Sequence, residues 1–201
     1  MPIQYEPGIL QEHLATRKFG GLFDVSHMVR FRIKGKGRIP FLQHVLSNNA
    51  EALDPWQAQY TLIPNENGGV IDDAYLYRFG VGRAGLDAAR PACDCGDRLS
   101  SGFEGGGTMD DYLLVANASN REKDWTHLQK SASIFEGVTI EDHTDKIAMI
   151  AFQGPLTGRI LAGLVEYGTL PEPFHNRLSE IGLCGTKVLI ARTGYTGEPI
   201  G

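Results

Sequence analysis

The sequence has no long apolar run. None of its stretches approaches the roughly 18 residues that span a bilayer, and the start, Met1-Pro2-Ile3-Gln4, shows no basic stretch followed by an apolar one, so it reads as a soluble protein with no export signal and no membrane partner. Cysteine is scarce, at three residues. Three cannot all pair, and Cys93 and Cys95 are too close for an easy mutual bridge, which excludes a disulfide scaffold and points to a reducing compartment. A basic surplus is also missing: 19 Lys and Arg against 24 Asp and Glu leave a net charge of −5, which argues against nucleic acid as the main partner. Glycine is plentiful, with 25 in 201 residues, nearly twice its usual share of about 7%. With 42% apolar residues, the chain is long enough to bury a substantial core and is neither disordered nor fibrous.

Hydrophobic periodicity organises the chain. Gly8 to Phe19 has good helix formers, apolar Leu10 and Leu14 and a Gly20-Gly21 stop, predicting a short amphipathic helix. In VRFRIK, Val29, Phe31 and Ile33 alternate with Arg30, Arg32 and Lys34, the period of a strand with one wet face, and the three basic residues read as a solvated stripe. Ile39, Leu42, Val45 and Leu46 share the stripe of a second helix. Tyr112 to Asn120 predicts a strand whose Asn120 caps a helix through Trp125 and Leu128. KIAMIAFQ suits a buried strand, Gly154-Pro155 starts a helix carrying Ile160, Leu161 and Leu164, and TKVLIAR is a further strand. Residues 80–111 hold eight glycines in 32 residues and read as a long loop. Strands and helices interleave without strict βαβ alternation, which predicts an α+β fold with mixed or antiparallel sheets and flanking helices.

Residues 58–79 predict a β-hairpin about Asn67-Gly68, a pair suited to the positive φ angles of a tight turn. A two- or four-residue loop pairs positions whose numbers sum to 135, placing Tyr60 opposite Tyr75 and Leu62 opposite Asp73. Tyr60, Leu62, Asp73, Tyr75 and Tyr77 then share one face, with Ile71, while Val70, Asp72, Ala74 and Leu76 take the other; a three-residue loop would reverse Tyr60. Asp72 and Asp73 therefore point to opposite sides and do not form a carboxylate dyad. Asp73, flanked by tyrosines, suits a pocket for a flat heterocycle; an aspartate bonded to nearby backbone at a hairpin end has the same spacing. Other motifs lead nowhere specific. Cys93-Asp94-Cys95 has no second ligand pair for a metal, Asp24, Ser26 and His27 are too close for a hydrolase relay, and Gly105-Gly106-Gly107 lacks the Lys of a phosphate loop.

LFDVSHM (22–28), NENGGVIDD (65–73), YLLVANASNREKDW (112–125), IAFQGP (150–155) and ARTGYTGE (191–198), in this order, resemble the aminomethyltransferases, the T-proteins of the glycine cleavage system. The SHM form of the first motif separates it from the folate-binding domains of sarcosine and dimethylglycine dehydrogenases and from the tRNA-modification relatives. The resemblance implies a folate-binding aminomethyltransferase-like fold, with one discontinuous subdomain over residues 1–28 plus 146–201 and a second over 29–145. It implies that ammonia is released from the aminomethyl-lipoyl arm of H-protein and that the one-carbon unit passes to tetrahydrofolate, giving 5,10-methylenetetrahydrofolate, with no metal. A cytoplasmic location follows, or the mitochondrial matrix in a eukaryote.

The resemblance makes Asp73 the catalytic carboxylate. It orients the folate amine edge and stabilises positive charge as an iminium-like one-carbon unit forms, with hydroxyls such as that of Tyr60 as donors. Met28, Tyr60, Tyr77, Asn117 and Tyr195 become folate contacts. Two departures stand out: the family has only a short connection where this chain has residues 80–111, and its members begin before Met1 and continue past Gly201 with a folate-contacting glutamate, an arginine site and a further domain. The sequence thus corresponds to a fragment lacking the extreme N-terminus and the C-terminal half. A folate-dependent demethylase relative and a non-catalytic folate-binding module are the alternatives.

Overall fold

The computed structural model describes residues 5–80 and 111–194. They divide into two compact units, Ser26–Ala148 and a discontinuous unit of Met1–Val25 with Met149–Gly201. The chain opens in the discontinuous unit with α1 (Gly8–Lys18) and β1 (Gly21–Asp24), then builds the continuous unit from β2 (Val29–Lys34), α2 (Arg38–Val45), β3 (Gln57–Pro64), β4 (Val70–Arg78), β5 (Tyr112–Ala116), α3 (Arg121–Ala132) and β6 (Thr139–Asp142). It returns to the first unit with β7 (Ile150–Gln153), α4 (Thr157–Ala162), β8 (Val165–Gly168), β9 (Leu178–Leu183) and β10 (Thr186–Ala191). Every ladder is antiparallel, so the α+β expectation holds. No helix among the described residues is long and apolar enough to cross a membrane.

The continuous unit is a five-stranded sheet in the order β3-β4-β5-β2-β6 with α2 and α3 contributing to its core. Val29, Phe31 and Ile33 of β2, Leu76 of β4 and Leu114 of β5 meet Phe41, Leu42 and Val45 of α2 and Leu128 of α3, all essentially inaccessible. Trp125 on α3 stacks at 5.2 Å from Phe31, and Phe135 meets Phe41 edge-on at 6.0 Å. The stripe expected of the second helix is the face that packs. The turn leaving β2 approaches the turn after α3 so closely that a side chain at Gly35, whose φ is +99°, would stand 1.9 Å from the Gly137 carbonyl oxygen. Glycine is required there on both counts.

The wet face expected of β2 is not found. Strand β2 lies between β5 and β6, and Arg30 and Arg32 are 1% and 9% exposed. A buried guanidinium must have its donors satisfied. Arg30 donates to the carbonyls of Met28 and Ser26, both at 2.8 Å, and of Thr144; Arg32 pairs with Asp111 through Nε at 3.1 Å and Nη2; Lys34 pairs with Glu141 at 2.9 Å. Alternation along the strand marks two differently filled faces, not one solvated face.

The discontinuous unit consists of a two-stranded β1-β7 ribbon and a three-stranded β10-β9-β8 sheet. Helix α1 ends as expected, with the Gly20 amide closing on the Ala15 carbonyl at 3.1 Å. It buries no residue, however, and Ile9 and Leu10 are 76% and 67% exposed. KIAMIAFQ is not a buried strand either: only Ile150–Gln153 pairs, on one side, with β1, and Ile150 is exposed. A two-stranded ribbon has two faces and nothing in its own sheet to cover them. Helix α4 begins at Thr157 rather than at Gly154-Pro155 and stops before Leu164.

These packing relations predict that Phe31→Ala destabilises the continuous unit by about 3–5 kcal/mol. Urea denaturation followed by Trp125 fluorescence measures it; a loss below about 1 kcal/mol would contradict the central place given to Phe31.

Candidate functional site

The sheet registers place the site. Val29 lies opposite Ala116, Ala116 opposite Ala74, and Ala74 opposite Thr61. One residue further out, Met28, Asn117, Asp73 and Leu62 therefore fall in line at one end of the sheet. Two residues inward from that line, Arg30, Val115, Tyr75 and Tyr60 form a row, and two further in come Arg32, Leu113, Tyr77 and Ala58. Because alternate rows face the same side, Asp73 shares its face with Tyr60, Tyr75 and Tyr77. Tyr60 opposite Tyr75 and Leu62 opposite Asp73 are the pairs the 135 sum requires.

That register arises differently from the expectation. Asn65 and Gly69 close a three-residue loop: the Asn65 amide donates to the Gly69 carbonyl at 2.8 Å and the Gly68 amide to the Asn65 carbonyl at 3.1 Å. The Asn65 side chain accepts from the amides of Asn67 and Gly69, both at 2.9 Å, and Gly68 takes the positive φ of +80°. This is the three-residue hairpin solution. Alone it would turn Tyr60 to the other face, but the ladder shifts by one residue between the Ile63–Asp72 and Pro64–Val70 pairs, and this bulge at Ile71 restores the parity. Ile71 leaves the Asp73 face and packs against the hydrophobic core.

Asp73 is half-buried and held at both oxygens. The Tyr60 hydroxyl donates to Oδ2 at 3.1 Å, and Asn117 Nδ2 donates to Oδ1 at 2.8 Å, with a weaker approach of 3.4 Å to the Asp73 carbonyl. The desolvated surroundings of the Tyr60 hydroxyl, and then its bond to Asp73, raise that phenol above its ordinary value. Tyr60 and Tyr75 meet edge-on at 5.7 Å, and Tyr75 and Tyr77 lie tilted at 6.1 Å. Flat π surfaces beside a carboxylate are the furniture of a heterocycle site. Met28 is half-buried in the turn that Arg30 ties down through the Met28 and Ser26 carbonyls. Tyr195 lies outside the described residues, as do 81–110 of the glycine-rich segment with Cys93 and Cys95.

On the opposite face Asp72, 5% exposed, collects three donors: the Asn117 amide at 3.0 Å, Asn117 Nδ2 at 2.9 Å and Asn120 Nδ2 at 2.7 Å. Asn120 was expected to cap α3; its side chain serves Asp72 instead and makes no capping bond. Burial opposes the Asp72 anion, and the bonds from Asn117, Asn120 and Asp124 outweigh it, holding the carboxyl below its ordinary value. Asp124, fully buried in the first turn of α3, has no hydrogen-bond donor on either oxygen among the described residues. Burial, then the charge of Asp72, push it from 3.8 to about 7. A helix N-terminus favours an anion by about 0.3–1 kcal/mol, too little to offset that burial. Burial wins, and the acid form of Asp124 is favoured up to about pH 7.

The sequence therefore supplies Asp72, Asp73 and Asn117 but not Asp124, whose partner is 52 positions away. Its one available signal is an acidic residue at a core-facing position of α3, four before the buried Leu128.

A linkage prediction follows. Between pH 3.8 and about 7 the folded chain keeps an Asp124 proton that the unfolded chain has lost; stability therefore falls as pH rises through that window, by up to about 1.4 kcal/mol per pH unit. Asp72, shifted the other way, loses its contribution only as pH drops below its ordinary value. Asp124→Asn should be more stable than the parent at pH 8 and converge with it near pH 4 in urea denaturation. An unchanged pH slope in the variant would refute the assignment.

Comparison with known proteins identifies the family. The chain matches the GCVT N-terminal domain over residues 1–86 and 107–199, leaving out the middle of the glycine-rich segment. It is 40% identical to an aminomethyltransferase of Prosthecochloris aestuarii, covering 98% of this chain and 47% of that protein, and 38% identical to one of Thermus thermophilus, covering 98% and 48%. The crystal structure of the glycine cleavage system aminomethyltransferase T from Bartonella henselae aligns over 100% of this chain and 47% of its own, with a TM-score of 0.67 at 28% identity. The chain thus spans about half the length of the curated relatives it matches, and over that span it belongs to the GCVT N-terminal domain family.

Proposed function

We propose that this chain supplies the folate-binding, carboxylate-bearing part of an aminomethyltransferase. On this reading the discontinuous unit and Ser26–Ala148 are the first and second subdomains of a folate-binding fold, and the partner is the lipoylated H-protein. Ammonia leaves the aminomethyl group on the lipoyl arm, and the one-carbon unit passes to tetrahydrofolate as 5,10-methylenetetrahydrofolate. The observation that carries the proposal is a half-buried Asp73 held by Tyr60 and Asn117 beside the Tyr60, Tyr75 and Tyr77 rings, in a chain whose relatives are named aminomethyltransferases.

The residues suit the substrate's chemistry. A reduced pterin offers a flat ring and an edge of N–H donors; the tyrosine strip matches the first and the Asp73 carboxylate the second. Tyr60 and Asn117 fix that carboxylate before substrate arrives, so little reorganisation remains for the reaction. A fixed negative charge stabilises the positive charge that develops on the one-carbon unit as ammonia departs, and the same group orients the attacking nitrogen. Asp73 forms no covalent bond in this account. Met28, Asn117, Tyr77 and Tyr195 complete the folate contacts.

Tetrahydrofolate titration followed by intrinsic fluorescence, with ammonia release from aminomethyl-loaded H-protein in parallel, tests this. Asp73→Asn is expected to keep tetrahydrofolate affinity within several-fold and lose about 100-fold or more of turnover, the scale for removing one preorganised electrostatic group. Near-normal transfer by that variant would defeat the role of Asp73. Folate binding without ammonia release by the parent chain would instead favour a non-catalytic folate-binding module.

A further inference from the structure

We propose that Asp72 and Asp124 form a positioning pair behind Asp73: Asp124 holds a proton against Asp72, the anion so fixed clamps Asn117, and Asn117 orients the Asp73 carboxylate. The inference rests on the reading of Asp73 as the group beside the reacting atoms.

The geometry is specific. Asn117 Nδ2 carries two hydrogens and stands 2.9 Å from Asp72 Oδ1 and 2.8 Å from Asp73 Oδ1, so each carboxylate takes one. The main-chain amide of Asn117 also goes to Asp72, at 3.0 Å, which ties the residue at two points to the adjacent strand β4, 45 positions away in sequence. Asn120 adds a third bond at 2.7 Å. Asp72 therefore holds both asparagines that follow β5, and Asp73 receives only the remaining hydrogen of one of them. An acceptor this crowded has to stay anionic, and its neighbour on α3 has to stay neutral, because two facing carboxylates sealed from water cannot both ionise.

Asp124 meets that requirement. Both its oxygens are buried and neither has a hydrogen-bonding partner among the described residues, so its favoured form there is the acid, with the proton directed to the neighbouring charge of Asp72. Among the described residues two charged groups act on it: the charge of Asp72 on β4 raises its proton affinity, and Lys123 on its own helix lowers it. The pair titrates as a unit. Loss of its remaining proton places two like charges face to face, loosens the grip of Asp72 on Asn117, and frees Asp73 at Oδ1 while Tyr60 still holds Oδ2. The site carboxylate is thus oriented by a proton held on the other face of the sheet.

The side-chain amide resonances of Asn117 and Asn120, followed in the 201-residue chain between pH 5.5 and 8.5 without folate, test the proposal. The parent should show a one-proton transition near neutrality at both residues, accompanied by a shift of the Asp73 carboxyl carbon. Asp124→Asn should abolish the transition and leave the signals at their low-pH positions, since its N–H replaces the acid's O–H as donor. Asp72→Asn, which keeps the shape and removes the charge, should displace the Asn117 signals at every pH. A merely structural Asp124 would leave these resonances flat with pH in the parent, and that result, or persistence of the transition in Asp124→Asn, overturns the inference. Because no folate is present, an intact transition in a chain that fails to bind tetrahydrofolate would support the pair and defeat the folate reading instead. Where the chain turns over, the parent should lose activity above neutrality with KM less affected than kcat, and Asp124→Asn should lack that alkaline limb.

Discussion

One carboxamide joins two aspartates that their strand points in opposite directions. Asp72 and Asp73 are neighbours in sequence, yet the pleat sends one toward α3 and the other to the face bearing the tyrosines. Asn117, just past the end of β5, reaches both. Everything at the site depends on this bridge: it sets Asp73 against Tyr60, ties the end of β5 to β4, and exposes Asp73 to whatever governs the charge of Asp72. A carboxylate that accepts several bonds remains anionic even when buried, and the bridge supplies Asp72 with two of those that hold it below its ordinary value.

The sheet that carries the bridge is built from ordinary materials. Branched and aromatic residues on β2, β4 and β5 meet two short helices, and the buried cations on the other side of β2 donate to carbonyls and a carboxylate. Arg30 belongs to both accounts. Its guanidinium fastens the turn of Ser26 to Met28 onto the sheet end, where Met28 stands in line with Asn117 and Asp73. Stability and site geometry share the same bonds.

How much of this was legible in the sequence varies by residue. The face shared by Tyr60, Asp73, Tyr75 and Tyr77 follows from period-two alternation and a parity argument, and it held even though the loop has three residues, because the bulge at Ile71 cancelled the change. Local rules could not foresee the bulge, since loop and strand each obey their own chemistry and only the ladder adds them. Arg30 and Arg32 were misread because alternation reports two different faces and cannot say which is wet. Asn120 looked like a cap because caps and carboxylate ligands draw on the same side chains. Asp124 gave almost no signal: its significance arises from a partner on another element. The exposed Ile9 and Leu10 show the converse, a helix pattern that is amphipathic in sequence but buries no residue of the helix.

The central claim is that the Asp73 carboxylate addresses the amine edge of a reduced pterin. The most direct measurement is the crystal structure of this chain with tetrahydrofolate bound. The account requires the pterin ring against the tyrosine strip, with its N–H edge within about 3 Å of Asp73, the reach of a charge-assisted hydrogen bond. A pterin bound elsewhere, or bound at the strip with Asp73 turned away from it, would contradict the account.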